Sequence, residues 1–293
     1  MVPPPGRRVA IVTDSTSMLP ESLVVERGIT VVRLQVVIGA RAYDEGTQAT
    51  PETVAEALRE WTPVSTSRPS PQEFLEVYRG LAADGAEAIV SIHLSGEVSG
   101  TYESAQLAAR ESPVPVEAVD TRQVGMATGF AVLSAADALD AGDRDDTARA
   151  VATTAAAVAV KRAAATRVLF YVDTLEYLRR GGRIGAAAKL LGSALAVKPL
   201  LQVQDGRIVP LEKVRTSARA VSRLEDLAVE YAGVGDVDVA VAHLANPDRA
   251  EDLAQHLRKR LSGERSVVVG EVGAVIGAHV GPGMLAVAVS PRL

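Results

Sequence analysis

The sequence predicts an α/β protein of two domains. Residues 1–165 read as a parallel-sheet α/β domain, and residues 166–293 as an α+β domain with a mixed or antiparallel sheet. Three observations carry this. Short apolar runs such as Val9-Ala10-Ile11-Val12 end in polar loops and alternate with helical segments, the pattern of a parallel sheet covered on both faces. Two long Ala-rich stretches, 124–141 and 145–162, read as consecutive helices that bridge into the second half. Beyond them, Gln204-Asp205-Gly206 reads as a tight hairpin, so at least one strand pair there is antiparallel.

The elements follow in order. The first strand opens onto Thr13-Asp14-Ser15-Thr16, a helix starts at Pro20, and 30–38 reads as the next strand. Thr50-Pro51-Glu52 and Ser70-Pro71 with Glu73 are helix starts with an N-cap and a proline at the first position. A strand at 87–94, a helix at 100–110 and a strand at 115–119 precede the long helices. In the second half, strands are expected at 167–172, 197–203, 207–211, 237–243, 266–272 and 285–289, with helices at 217–231 and 247–261. A short basic helix stops at Gly181-Gly182, and a helix of small residues is expected at 185–196.

Composition bounds the function. With 47% hydrophobic residues but only 3% aromatic, the core must be built from Val, Leu, Ile and Ala. A net charge of −5 without a basic patch argues against a nucleic-acid surface. Without cysteine there is no disulfide, thiolate nucleophile or zinc–thiolate site. Residues 1–8 form a Pro-rich tail without a signal-peptide core, and the longest weakly polar run, 150–160, is too short for the ~20 residues of a membrane span. The expectation is a soluble, cytoplasmic protein.

Four polar clusters fall at loops where α/β proteins place ligands: Thr13 to Thr16, Thr66 to Ser70, Ser95 to Thr101, and His279-Val280-Gly281-Pro282-Gly283. Ser99-Gly100-Thr101 sits at a helix start, where hydroxyls and free N–H groups can grip an anion. Taken singly, each Ser and Thr also reads as a cap or turn residue, and His279, placed in a Gly-rich loop, as a structural hydrogen-bond donor. His93 reads as a satisfied core residue, His243 as a strand end and His256 as a surface-helix residue. Arg179, Arg180 and Arg183 read as a solvated rim. No metal-ligand spacing, Gly-x-Ser-x-Gly elbow or phosphate loop is present. Gly181-Gly182-x-x-Gly185 joins two helices and is no dinucleotide fingerprint.

The ordered series Thr-Asp-Ser-Thr, Thr-Ser-x-Pro-Ser, Ser-Gly-Thr-Tyr, Asp-Thr-Leu-x-Tyr-Leu-x-x-Gly-Gly-Arg-Ile, Lys-Pro, Arg-Thr and His-x-Gly-Pro-Gly resembles the DegV family from about Val9 to Val289. These are bacterial fatty-acid-binding proteins that serve as the acyl-carrying subunit of fatty acid kinase. The resemblance implies a lipid tunnel in the second domain, with the carboxylate at the domain interface. It implies that Thr66 and Ser99 bond the fatty-acid carboxylate, that His279 completes the network, and that Ser67, Ser95 and Gly100 support it. It implies no metal or cofactor besides the bound lipid. A separate ATP-dependent kinase would phosphorylate the presented carboxylate, and the acyl phosphate would feed phospholipid synthesis; transient membrane contact is compatible with that role. Arg33, Arg68 and the Pro-rich tail depart from the family pattern. The alternative is a hydrolase or transferase using Ser99 and His279, and a third reading is a carrier of another amphiphile such as a retinoid or sterol.

Overall fold

A computed structural model describes residues 8–143, 145–190, 198–263 and 265–292. In chain order its first elements are β1 (Val9–Asp14), α1 (Glu21–Glu26), β2 (Ile29–Val32), β3 (Gln35–Ile38), β4 (Arg41–Asp44), α2 (Pro51–Arg59) and β5 (Val64–Ser67). There follow α3 (Pro71–Ala83), β6 (Ala88–His93), α4 (Thr101–Ala109), β7 (Val116–Asp120), α5 (Met126–Ala141) and α6 (Ala148–Ala165). The second half carries β8 (Arg167–Tyr171), α7 (Glu176–Arg180), β9 (Lys198–Gln204), β10 (Arg207–Val214) and α8 (Ser217–Ala232). It ends with β11 (Val237–His243), α9 (Pro247–Arg260), β12 (Arg265–Glu271), α10 (Ala274–Val280) and β13 (Leu285–Pro291).

The chain forms two compact units, and the division is not a single cut. Residues 8–34 and 68–164 make the first, while 35–67 join 165–292 in the second. A boundary at 165 alone therefore misplaces the segment 35–67. The reason lies at 30–38, which is not one strand: β2 and β3 are separate and belong to different sheets. Apolar residues continue on both sides of the break, at Val31-Val32 and Val36-Val37-Ile38, so the local pattern does not mark where the chain changes partner.

In the first unit the strands run parallel in the order β2-β1-β6-β7. Alternate residues of β1 serve two cores, as strand geometry demands. Val9 and Ile11 pack with the alanines of α5 and α6, whereas Ala10 and Val12 pack with Phe74, Leu75 and Tyr78 of α3. The core residues that α5 and α6 contribute to this cluster are nearly all alanine. Thr50 and Ser70 each form the expected cap, closed reciprocally by Thr53 and Glu73.

The second unit is built on a mixed sheet, ordered β10-β9-β8-β13-β11-β12 among the described residues. Only β11 and β12 pair in parallel there. The hairpin turns at Asp205 and Gly206, both at positive φ, as a primed turn requires. Helices α8 and α9 bury Leu224, Leu227, Leu253 and Leu257 against Leu169, Tyr171, Val239 and Val287. The antiparallel sheet β4-β3-β5 belongs to the same unit, where β3 and β5 contact α10. Residues 185–190 form a 3-10 turn, and the remainder of the expected helix 185–196 lies outside the described residues. The Pro-rich tail, but for Arg8, also lies outside them. No helix among the described residues is long and apolar enough to cross a membrane.

Candidate functional site

His279 is not in a loop, as its Gly-rich surroundings suggest, but in the last turn of α10. That helix is too short to assert itself by periodicity, and three features of the second unit fix it. At its start the buried carboxylate of Glu45 accepts the Val275 N–H at 2.7 Å. At its end Gly281 turns the chain at φ 76, with the Tyr177 ring packed where a Cβ would stand. Further on, Gly283 donates its N–H to the Leu244 carbonyl and accepts from Asn246 Nδ2 at 3.0 Å.

Thr66 reaches the same place from β5. Side chains of this strand alternate, so Thr66 is half-buried while its neighbours Ser65 and Ser67 are exposed. Its Oγ1 lies 2.9 Å from His279 Nε2. The other ring nitrogen, Nδ1, is buried and has no hydrogen-bond partner among the described residues. Burial, and then the nearby charge of Arg183, push the His279 pKa down to about 4. The ring is therefore neutral at physiological pH and carries one proton. On Nδ1 that proton would be a buried N–H without an acceptor, costing about 1–3 kcal/mol. On Nε2 it donates to Thr66. The Thr66 hydroxyl, having accepted, is left with its own proton to offer an anion.

Ser99, Ser95 and Gly100 belong to the first unit. Ser99 Oγ lies 2.9 Å from Thr101 Oγ1 and accepts the Thr101 N–H at 3.3 Å, beside the start of α4. Ser95 is buried, with its carbonyl accepting from Val98 and Ser99 and its hydroxyl from Glu97. Gly100 lies beneath Arg68: a Cβ there would stand 1.8 Å from Arg68 Nη1. That nitrogen donates to the Gly100 carbonyl and to Glu103. Arg68, the variable residue of its motif, thus ties its own loop to the start of α4.

The other histidines fall as read. His93 is fully buried and bonded to Asp14 and Ser91. His243 ends β11, and His256 is exposed on α9 beside Glu225. Arg179 and Arg180 pair with Glu176, and Arg180 also stacks on the exposed Trp61. Sequence reasoning missed Glu45 and Gly181, which shape the surroundings of His279. No group among the described residues could hold a metal ion.

The fold and the Thr66–His279 pair define a two-unit α/β protein whose mixed-sheet unit holds a neutral imidazole behind a threonine hydroxyl. The chain is similar to known proteins over nearly its whole length. The model of the DegV family, described as "Uncharacterised protein, DegV family", matches residues 8–292. A DegV domain-containing protein of Streptomyces coelicolor is 56% identical, covering 98% of this chain and all of its own. Among solved structures, one of "Fatty Acid Binding of a DegV family Protein" from Thermus thermophilus is 34% identical with a TM-score of 0.87, covering 97% of this chain and 100% of its own. Another, "DegV, a fatty acid binding protein" from Bacillus subtilis, is 30% identical with a TM-score of 0.85, covering 98% and 100%. The chain belongs to the DegV family.

Proposed function

We propose that this protein binds a long-chain fatty acid and presents its carboxylate to a separate ATP-dependent fatty acid kinase, whose acyl phosphate feeds phospholipid synthesis. The observation that carries the reading is the Thr66–His279 pair, a hydroxyl primed by a neutral imidazole. The relatives from Thermus thermophilus and Bacillus subtilis, both described as fatty-acid-binding, support the choice of ligand. Thr66 donates to the carboxylate and His279 holds Thr66 in the donating orientation. From the family resemblance we also assign Ser99 a carboxylate-binding role, with Ser67, Ser95 and Gly100 in support.

The magnitudes fit. Burying ~14 methylenes at ~0.8 kcal/mol each supplies roughly 11 kcal/mol. Ordering the ligand and side chains takes back several kcal/mol. Submicromolar affinity then survives only if the head group is paired. A hydrolase or transferase using Ser99 and His279 fits less well: a base with a pKa near 4 is poorly matched to neutral pH, and Nε2 is committed to Thr66.

The test is organic extraction of the purified protein followed by mass spectrometry, and then ATP-dependent acyl-phosphate formation with a fatty acid kinase. A co-purifying fatty acid, and a carboxylate phosphorylated only when protein and kinase are combined, are expected. An extract holding a sterol or retinoid, or turnover by the protein alone, would overturn the proposal.

A further inference from the structure

Two adjacent glycines end α7, and each is required for a different reason. Gly182 has φ +71, with nothing within 4 Å of where its Cβ would stand, so backbone conformation is its constraint. Gly181 has φ −72 and ψ −8, which any residue adopts. Its constraint is space. A Cβ on Gly181 would lie 2.1 Å from His279 Nδ1, 2.8 Å from Cε1 and 3.3 Å from Cγ. The ring cannot withdraw freely, because Nε2 is bonded to Thr66 and α10 is held at its start by Glu45. At the far end Tyr177, one helical turn before Gly181, fills the space beside Gly281.

We propose that Gly181 is a positioning residue, the absence of its side chain forming the slot that seats the His279 imidazole against Thr66. The consequence for ligand binding rests on the reading of Thr66 and His279 as the carboxylate grip. The slot explains why Nδ1 is buried yet unpaired: it faces a Cα instead of a polar partner. Any side chain at 181 must push the ring out, breaking the bond to Thr66 and admitting water to the imidazole.

The experiment compares Gly181→Ala, Gly182→Ala, His279→Ala and the double variant Gly181→Ala/His279→Ala. Two quantities are read: the His279 titration by NMR without lipid, and the Kd of a fluorescent fatty acid. Gly181→Ala should raise the His279 midpoint by at least one pH unit and weaken the probe about tenfold, while Gly182→Ala does neither. In the His279→Ala background, adding Gly181→Ala should change Kd less than twofold. An unmoved titration in Gly181→Ala, or an equal loss in both backgrounds, overturns the proposal. Should Gly181→Ala fail to fold, recovery of folding in the double variant supports the slot, and failure of both overturns it. If His279→Ala alone leaves the probe affinity unchanged, the carboxylate grip is wrong, and the titration still judges the slot.

Discussion

Thr66 Oγ1 and His279 Nε2 meet at 2.9 Å although 213 positions separate them in the chain. Their bond is the point at which β5 and α10 are stitched together. Thr66→Val should strand the Nε2 proton and cost about 1–3 kcal/mol of stability. On the proposed function it should also weaken fatty-acid binding at least tenfold. Thr66→Ser keeps the hydroxyl and should stay within about threefold of wild type. Calorimetry of the lipid complex checks the pair, and equal losses in both variants would refute the hydroxyl's role.

Acid should act through the same imidazole. The unfolded chain titrates His279 near 6.5, whereas the folded protein holds it near 4. Between those values the unfolded state binds the extra proton, so stability is fully present above about pH 6.5. It then falls by up to about 3 kcal/mol as pH drops towards 4. His243, also pushed down by burial, contributes in the same direction and is unchanged in the comparison. Urea midpoints at pH 7 and pH 4.5 should fall further in wild type than in His279→Gln.

The first unit contains a second polar chain. Tyr78 donates to Ser91 Oγ at 2.8 Å, Ser91 lies 2.7 Å from His93 Nε2, and His93 Nδ1 lies 3.0 Å from Asp14, all fully buried. Asp14 also accepts the Leu94 N–H. Ser91→Ala strips His93 Nε2 of its partner and leaves the Tyr78 hydroxyl only a long 3.5 Å bond to the Ala105 carbonyl, whereas Tyr78→Phe removes a terminal donor. Guanidinium unfolding should show a loss of about 2–4 kcal/mol for the serine variant and about 1 kcal/mol for the tyrosine variant. The reverse order would mean the chain is not connected as described.

Two helix caps can be removed without altering Thr66 or His279 themselves. Thr50→Ala and Ser70→Ala should each lower stability by about 1 kcal/mol. Neither should change lipid affinity. Thermal unfolding and the same binding assay test the pair.

How much of this was legible depended on the distance over which the physics acts. Caps at Thr50 and Ser70, the turn at Asp205-Gly206 and the burial of His93 were readable, because a few neighbouring residues decide them. The core strands β6, β8 and β11 were readable for the same reason. Strands β4 and β5 were not, since their short, half-polar runs become strands only by pairing with β3, whose residues the pattern joins to β2. Helix α10 was hidden because its hold at Glu45 comes from 230 positions away. The motifs marked Thr66 and His279 as candidates but could not show that they touch. Gly181 was read as a helix stop. Its neighbour Gly182 carries the left-handed backbone, while Gly181 answers to a ring that no local pattern reveals.

The placement of residues 35–67 has a consequence for biogenesis. Glu45 and Thr66 leave the ribosome long before α10 does, and their partners arrive 230 and 213 residues later. Such non-local closure is slow. Until the final stretch is synthesised, this segment must wait with its polar hooks unmet. An expressed fragment starting at 165 would lack both hooks permanently, so the C-terminal half should misbehave when produced alone.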